Sequence, residues 1–136
     1  MQTATIKWLG GDEFRATMPS GNVVTFDAGS THKAGAGPME MLLGALGACT
    51  SVDVAMILAK KRQTLAALEV SVSGERASKP PEVWTKIDIV YRLQGKLDEK
   101  AVRDAIELSQ TKYRSVAAML GKTAKISYRH EIKQLE

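Results

Sequence analysis

The stretch from Gly37 to Arg62 constrains the fold more than any other part of the sequence. Pro38 suits a first helical turn, where its missing N–H costs nothing, and the basic run 60–62 complements the negative end of a helix dipole. Between these ends, Met41 to Ala59 carries one charged residue, Asp53, and small or apolar side chains point in every direction. Such a helix is buried on all sides. Because 136 residues offer little interior to surround it, we expect a second subunit to complete the burial.

The same stretch nearly meets the length of a membrane span, about 20 residues. In that case Asp53 would lie within the hydrocarbon, where a charge is costly. The flanking segments also alternate polar and apolar residues as strands of soluble proteins do. We therefore expect a buried helix and no membrane partner.

The composition predicts one domain over residues 1–136, since a 44% hydrophobic chain of this length can bury a real core. The net charge of +4 comes from basic residues scattered among acidic ones, with no basic run interleaved with aromatics, so no nucleic-acid partner is expected. A single cysteine excludes an internal disulfide, and the N-terminal residues lack the apolar core of a signal peptide. We expect a cytoplasmic protein.

Alternation predicts three strands before the helix and three after it. The alternating segments are, in order, Ala4 to Trp8, Phe14 to Met18, Val24 to Phe26, Leu68 to Val72, Val83 to Leu93, and Ala124 to Tyr128. The first three form an antiparallel meander with glycine-containing turns, and the fourth and fifth form a hairpin.

Helical spacing predicts two further segments between the last two strands. Asp98 is a good N-cap for a helix whose buried face is Ala101, Val102, Ala105, Ile106 and Ser109. A break follows near residues 111–115, and a short helix runs to Leu120, where Gly121 ends it. The predicted fold class is α+β, with mainly antiparallel sheets enclosing the long central helix.

Cys49 lies about three turns into the central helix. A cysteine in an apolar helix is usually a small buried hydrophobe. Asp53, one turn later on the same face, disfavours a thiolate, so a cation must offset it if Cys49 is to react. The candidates are Arg114, Lys112 and Arg15, and the residues alone do not choose among them.

Three other helix residues have a structural and a functional interpretation. Glu40 in the first turn either complements the helix dipole or serves as an active-site carboxylate. Gly44 and Gly47 form a small-residue surface that suits a helix crossing at a dimer axis or, alternatively, a bound ligand.

Cofactor motifs are missing from the sequence: it has no dinucleotide-binding Gly pattern, phosphate loop or nucleophile elbow. His32 and His130 have no close ligand spacing with Cys49. We therefore expect neither a cofactor nor a metal.

Two segments resemble the OsmC/Ohr family of osmotically inducible and organic hydroperoxide resistance proteins. They are residues 37–54, GPMEMLLGALGACTSVDV, and residues 112–120, KYRSVAAML. The predicted element order extends this resemblance over nearly the whole chain, and the branch it resembles most is that of the uncharacterised OsmC-like proteins. The resemblance implies an intertwined homodimer whose central helices are wrapped by sheets from both chains, with two sites at the interface.

The resemblance also implies roles for individual residues. In peroxidase members, a cysteine on the central helix attacks an organic hydroperoxide, a second cysteine resolves the sulfenic acid, and external thiols such as those of lipoylated proteins reduce the disulfide. Cys49 matches the first cysteine, whereas Arg114 stands where relatives carry the second. Met39 stands in place of the family glutamate, with Glu40 one residue on and about 100° away on a regular helix. Arg15 fits the activating arginine only loosely.

These observations lead to one main hypothesis and two alternatives. The main hypothesis is a homodimeric thiol peroxidase that protects against oxidative stress, in which Cys49 reduces small organic hydroperoxides, Arg114 stabilises its thiolate, and an external thiol is the reductant. The first alternative is a non-catalytic protein that binds a small apolar ligand at the dimer interface. The second is a structural dimer without a ligand.

Overall fold

The computed structural model describes all residues, 1–136, and contains six strands and three helices. In chain order they are β1 (Thr5–Gly10), β2 (Glu13–Thr17), β3 (Val23–Asp27), α1 (Pro38–Lys60), β4 (Thr64–Arg76), β5 (Trp84–Lys96), α2 (Glu99–Thr111), α3 (Ser115–Leu120) and β6 (Lys125–Gln134). The strands form two separate sheets, and a long helix connects β3 to β4 along the chain, which confirms the predicted α+β class. The chain divides into two compact units, residues 1–42 and 43–136.

The first unit contains a three-stranded antiparallel sheet in the order β1-β2-β3, as the alternation predicts. Its first turn is made by Gly10 and Gly11, whose φ angles of 109° and 53° favour glycine. Phe14 pairs with Trp8 on one side and with Phe26 on the other, so the apolar residues share one face. This face lines an apolar cavity of about 390 Å³.

A hydrogen-bonded loop joins β3 to α1. The buried Asp27 carboxylate accepts hydrogen bonds from the backbone N–H groups of Gly29, at 2.8 Å, and Ala34, at 3.0 Å. The hydrogen bonds from Ala34 and Gly29 hold the pKa of Asp27 below its usual value. The His32 ring also lies 2.6 Å, through Nδ1, from the Asp27 carbonyl oxygen. One side chain thus organises the path of the chain into the helix.

Helix α1 presents two different faces. Within the second unit its buried face consists of Leu46, Gly47, Thr50, Val54, Ile57 and Leu58. On the opposite face, Val52 is 62% exposed and Met56 47% exposed. A single chain therefore covers one face of the helix, and burial on all sides stays a prediction that depends on a second subunit. By length and composition alone the helix could cross a membrane, but the core helix of a soluble protein passes the same test.

The end of α1 uses an arginine where a glycine is usual. Arg62 adopts a φ of 58°, and the N–H of Gln63 then donates to the carbonyl of Leu58 at 2.9 Å. The helix itself ends at Lys60, two residues before the end of the predicted stretch.

The second unit contains a sheet in the order β4-β5-β6. Strands β4 and β5 are antiparallel, as predicted, but β5 and β6 are parallel. The parallel pairing arises because α2 and α3 form a crossover between them, which carries the chain back to the starting end of the sheet. The expectation of mainly antiparallel pairing is confirmed, with this one exception. The inward residues Ile87, Ile89, Tyr91 and Leu93 of β5 are almost completely buried.

Strand β4 begins at Thr64, four residues before the predicted start. Its ladder with β5 contains an irregularity between Leu65 and Ala67. Gly95 lies opposite with a φ of 153°, and a Cβ there would collide with the Thr64 carbonyl oxygen. The extra pairing therefore depends on a glycine at position 95.

Helix α2 follows the sequence prediction closely. The Asp98 side chain accepts from the Ala101 N–H at 2.9 Å, which confirms the predicted N-cap. The predicted apolar face is buried, the break occupies residues 112–114, and α3 ends before Gly121. Gly121 has a φ of −65°, so it ends the helix without the left-handed conformation common at such positions.

We expect Asp27→Asn to destabilise the loop at neutral pH, because a neutral amide oxygen accepts the two backbone hydrogen bonds less strongly than a carboxylate does. Since the pKa of Asp27 is lowered, the carboxylate stabilises the fold above its ordinary pKa and loses this effect as pH falls through the folded value. The difference between parent and variant should therefore shrink in acid.

Hydrogen exchange at the Gly29 and Ala34 amides, followed against pH, measures this effect. Asp12→Asn is the matched control, because the Asp12 carboxylate accepts no hydrogen bond. A difference that persisted unchanged in acid would contradict the assignment.

Candidate functional site

Cys49 is the only cysteine, and it is half-buried on α1. It lies between the fully buried Leu46 and Thr50 on one side and the exposed Ala48 and Val52 on the other. The thiol makes no hydrogen bond within the chain. A thiol in this position is accessible enough to react and is flanked by apolar surface.

A buried polar network begins at Thr50, the residue after Cys49. The Thr50 hydroxyl lies 2.5 Å from the Tyr91 hydroxyl of β5 and 2.8 Å from the Ser109 hydroxyl of α2. Ser109 in turn donates to the Asp53 carboxylate at 2.8 Å. The Gln110 amide nitrogen lies 2.6 Å from the Tyr91 hydroxyl and 3.4 Å from that of Thr50. The network joins the central helix to β5 and α2.

The Asp53 carboxylate sets the direction of every hydrogen bond in this network. An ionised carboxylate only accepts, so the single Ser109 proton is committed to Asp53. Thr50 must then donate to Ser109, and Tyr91 must donate to Thr50. The Tyr91 oxygen is left to accept from the Gln110 amide. Each hydroxyl donates once, and no buried side-chain nitrogen or oxygen lacks a partner.

The network limits how α1 can rotate against its neighbours. Burial raises the pKa of the Tyr91 hydroxyl, although the hydrogen bonds with Thr50 and Gln110 oppose the shift, so Tyr91 stays protonated and able to donate. Turning the helix would break the Thr50 bonds inside the core, where unpaired polar groups are costly. Thr50 thereby fixes the direction in which the adjacent Cys49 points.

The helical spacing places Asp53 beside Cys49, but it does not reveal which residue forms a hydrogen bond with the Asp53 carboxylate. Asp53 is bound to Ser109 of α2, a residue predicted only as part of the buried helix face. Tyr91 and Thr50 were likewise absent from the predicted site. The sequence held only a weak indication of this network: the polar residues Thr50, Ser109 and Gln110 occupy buried positions on their helices.

Arg114 is exposed between α2 and α3 and forms no ion pair within the chain. It lines a cavity of about 270 Å³ together with residues of α2, α3 and β6. No hydrogen bond joins it to Cys49. Its predicted role as thiolate partner therefore stays a prediction.

The other two predicted site residues belong to the first unit. Arg15 is exposed on β2, where it pairs with Lys7 and Thr25. Glu40 is exposed in the first turn of α1, next to the half-buried Met39. Their predicted roles also stay predictions. No group of three or more His, Cys, Asp or Glu side chains is placed to hold a metal ion.

A groove of about 300 Å³ runs between α1 and β4 in the second unit. Its lining consists of Leu43, Gly44, Gly47, Ala48, Ser51, Val70 and Val72. A Cβ at Gly44 would meet nothing within 4 Å, and one at Gly47 would lie 3.2 Å from Val72. The small residues on α1 thus leave a mainly apolar groove, which Cys49 does not line.

The polar network yields a quantitative prediction. We expect Tyr91→Phe and Thr50→Val each to lower the free energy of unfolding by about 1–3 kcal/mol, because each leaves buried partners unsatisfied. The double variant should lose less than the sum, since the two changes remove the same bond.

Denaturant unfolding of the two single variants and the double variant measures this coupling. Tyr128→Phe is the control, because Tyr128 is 44% exposed and its hydroxyl has no hydrogen-bond partner. Strictly additive losses would mean that the Tyr91 and Thr50 hydroxyls do not interact.

Comparison of the sequence and the fold with those of known proteins identifies the family of this chain. The sequence model of the OsmC-like protein family matches residues 30–129. Protein YhfA of Escherichia coli strain K12 is 38% identical over 130 residues, which cover 95% of this chain and 96% of YhfA. A hypothetical protein from Aquifex aeolicus VF5, known from its crystal structure, is 32% identical with a TM-score of 0.90, over 100% of this chain and 98% of that protein.

A more distant structure shares the fold. The organic hydroperoxide resistance protein from Elizabethkingia anophelis is 12% identical, with a TM-score of 0.69 over 96% of both chains. The resemblance predicted from residues 37–54 and 112–120 is confirmed by a family match that covers most of the sequence. This chain belongs to the OsmC-like protein family.

Proposed function

We propose that this protein reduces small organic hydroperoxides through a single reactive cysteine, Cys49. The observation that carries the proposal is the half-buried position of this thiol on the central helix, next to the exposed apolar side chain of Val52. Membership of the OsmC-like family supports a redox role, and a protein of the same fold bears the name organic hydroperoxide resistance protein. An apolar approach favours alkyl hydroperoxides over hydrogen peroxide.

The proposed reaction needs the Cys49 thiolate and two external thiols. The Cys49 thiolate attacks the terminal oxygen of the hydroperoxide, the O–O bond breaks, and the alkoxide takes a proton to leave as an alcohol. Cysteine is thereby oxidised to sulfenic acid. A first external thiol condenses with it, releasing water and forming a mixed disulfide, and a second thiol displaces Cys49 again. Dependence on external thiols fits a reducing compartment such as the cytoplasm.

Stabilising the thiolate requires a positive charge, for which Arg114 is the leading candidate. It forms no ion pair within the chain, and it follows the end of α2, the helix that binds Thr50 and Asp53 through Ser109. Arg15 is a further candidate cation and Glu40 a candidate acid that orients it. All three are exposed and free to complete a site in an assembly.

We expect cumene hydroperoxide to convert Cys49 to a sulfenic acid that dimedone traps, as detected by mass spectrometry of the intact protein. Cys49→Ser must give no adduct. We also expect Arg114→Ala to slow alkylation of Cys49 at neutral pH by about threefold to tenfold, because the thiolate loses a favourable charge.

Arg103→Ala is the matched control for charge, since Arg103 is exposed on α2 and lines neither the groove nor the Arg114 cavity. Absence of a dimedone adduct at an excess of peroxide would eliminate the peroxidase. Equal alkylation rates for the two arginine variants would eliminate Arg114 as the thiolate partner.

The proposal includes a homodimer, whose support is the uncovered face of α1. Val52 and Met56 are exposed on a predominantly apolar helix. Apolar surface of this kind is normally covered by a partner. A second copy of the chain would cover it, with the exposed Gly44 allowing close approach of the two helices.

Gly44→Ala tests this interface. In the isolated chain the added methyl group meets nothing within 4 Å, so it should stabilise the helix by about 1 kcal/mol. If two helices cross at this point, the same methyl group overpacks the interface and weakens dimerisation by about tenfold. Sedimentation equilibrium distinguishes the two results, and a parent protein that stays monomeric would contradict the dimer.

The apolar groove supports a second candidate function, binding of a small apolar ligand without catalysis. Native mass spectrometry of freshly purified protein separates the two functions. A co-purifying ligand with reduced Cys49 would favour binding, whereas oxidised Cys49 would favour the peroxidase.

A further inference from the structure

A second cavity, distinct from the groove along α1, lies where α2, α3 and β6 meet. It measures about 270 Å³. Its polar wall includes Gln110, Arg114 and Tyr128, and its apolar wall includes Ala117, Ala124 and Ile126. All six residues belong to the second unit. The cavity therefore combines a cation and neutral polar groups with a small apolar surface.

The polar network determines which end of the Gln110 amide is free. Its nitrogen must face the Tyr91 and Thr50 hydroxyls, because the proton of each hydroxyl is already committed elsewhere. Gln110 is only 8% exposed, yet its side-chain oxygen accepts no hydrogen bond from the protein. Since no fully enclosed polar atom is unpaired, this oxygen must reach an opening, and the cavity is the opening that Gln110 lines.

Two further groups at this cavity have no partner in the chain. The Arg114 guanidinium forms neither a hydrogen bond nor an ion pair. The Tyr128 hydroxyl is also unpaired. An occupant can therefore meet a positive charge from Arg114, a donor or acceptor from Tyr128, and an acceptor from Gln110.

We propose that this cavity binds a small hydroxycarboxylic acid, with its carboxylate on Arg114, its hydroxyl donating to the Gln110 oxygen, and its hydrocarbon part against Ala117, Ala124 and Ile126. A guanidinium binds a carboxylate with two parallel hydrogen bonds. The free amide oxygen requires a donor, which a simple carboxylate lacks at neutral pH. An amino acid would also supply a donor, but no carboxylate lines the cavity to pair with its ammonium group.

This inference goes beyond the proposed peroxidase because it does not use Cys49, although Arg114 has a role in both proposals. The ligand class follows from the cavity alone. Cys49→Ser should therefore bind the same ligand as the parent protein, and failure of the peroxidase test would leave the inference intact.

Isothermal titration calorimetry with three matched compounds tests the assignment. Hydroxyisocaproate carries both groups, isocaproate lacks the hydroxyl, and isohexanol lacks the carboxylate. We expect hydroxyisocaproate to bind most tightly, isocaproate about threefold to tenfold more weakly, and isohexanol not measurably, because each change removes one named contact.

Variants test the residues. Arg114→Gln should weaken hydroxyisocaproate binding by at least about tenfold. The affinity of Arg114→Lys should lie between those of Arg114→Gln and the parent, since lysine keeps the charge but cannot form two parallel hydrogen bonds with the carboxylate. Arg103→Gln, with the same charge change outside the cavity, should have no effect. Circular dichroism confirms that each variant is folded.

Several outcomes would overturn the proposal. The first is no heat of binding at millimolar hydroxyisocaproate and low salt. The second is an equal loss of affinity for hydroxyisocaproate in the Arg114 and Arg103 variants, and the third is equal affinity for hydroxyisocaproate and isocaproate. The second would indicate attraction by net charge alone, and the third would remove Gln110 from the site.

Discussion

The Asp53 carboxylate determines the directions of the hydrogen bonds that hold the interior of the second unit together. It commits the Ser109 proton, and this commitment passes through Thr50 and Tyr91 to Gln110. One charge at the edge of the core therefore orders four neutral side chains from three elements. Chains of hydrogen bonds in a low-dielectric interior resist partial disruption, because each broken bond leaves an unpaired group. The network accordingly holds α1 in one rotation against β5 and α2.

Two possible functional regions follow from this single constraint. On α1, the fixed rotation determines that Thr50 faces the core while Cys49 is left half-buried beside it. At the end of α2, the same hydrogen bonds turn the Gln110 oxygen towards the cavity that Arg114 lines. Substitutions in the network should therefore affect the thiol and the cavity together, and Arg114 has a proposed role at both.

Local pattern was sufficient for the elements and for the antiparallel pairings, but not for the pairing of β5 with β6. Alternation located all six strands, and helical spacing with the Asp98 cap located α2 to within a residue or two. The parallel pairing of β5 with β6 was not predicted, because it depends on the path of the crossover. The start of β4 was also missed, since Gly95, about 30 residues later, is what permits the extra pairing.

By itself the sequence determined the α+β class, the family, and the long apolar helix with Cys49 on it, because these depend on short-range periodicity and on contiguous motifs. Tertiary structure decided which groups meet. Thr50 and Tyr91 are 41 residues apart, and Thr50 and Ser109 are 59 apart. No local spacing encodes such contacts, since they arise only when the sheet and both helices close on a shared interior. The partner of Asp53 and the free end of Gln110 thus became visible only in the folded chain.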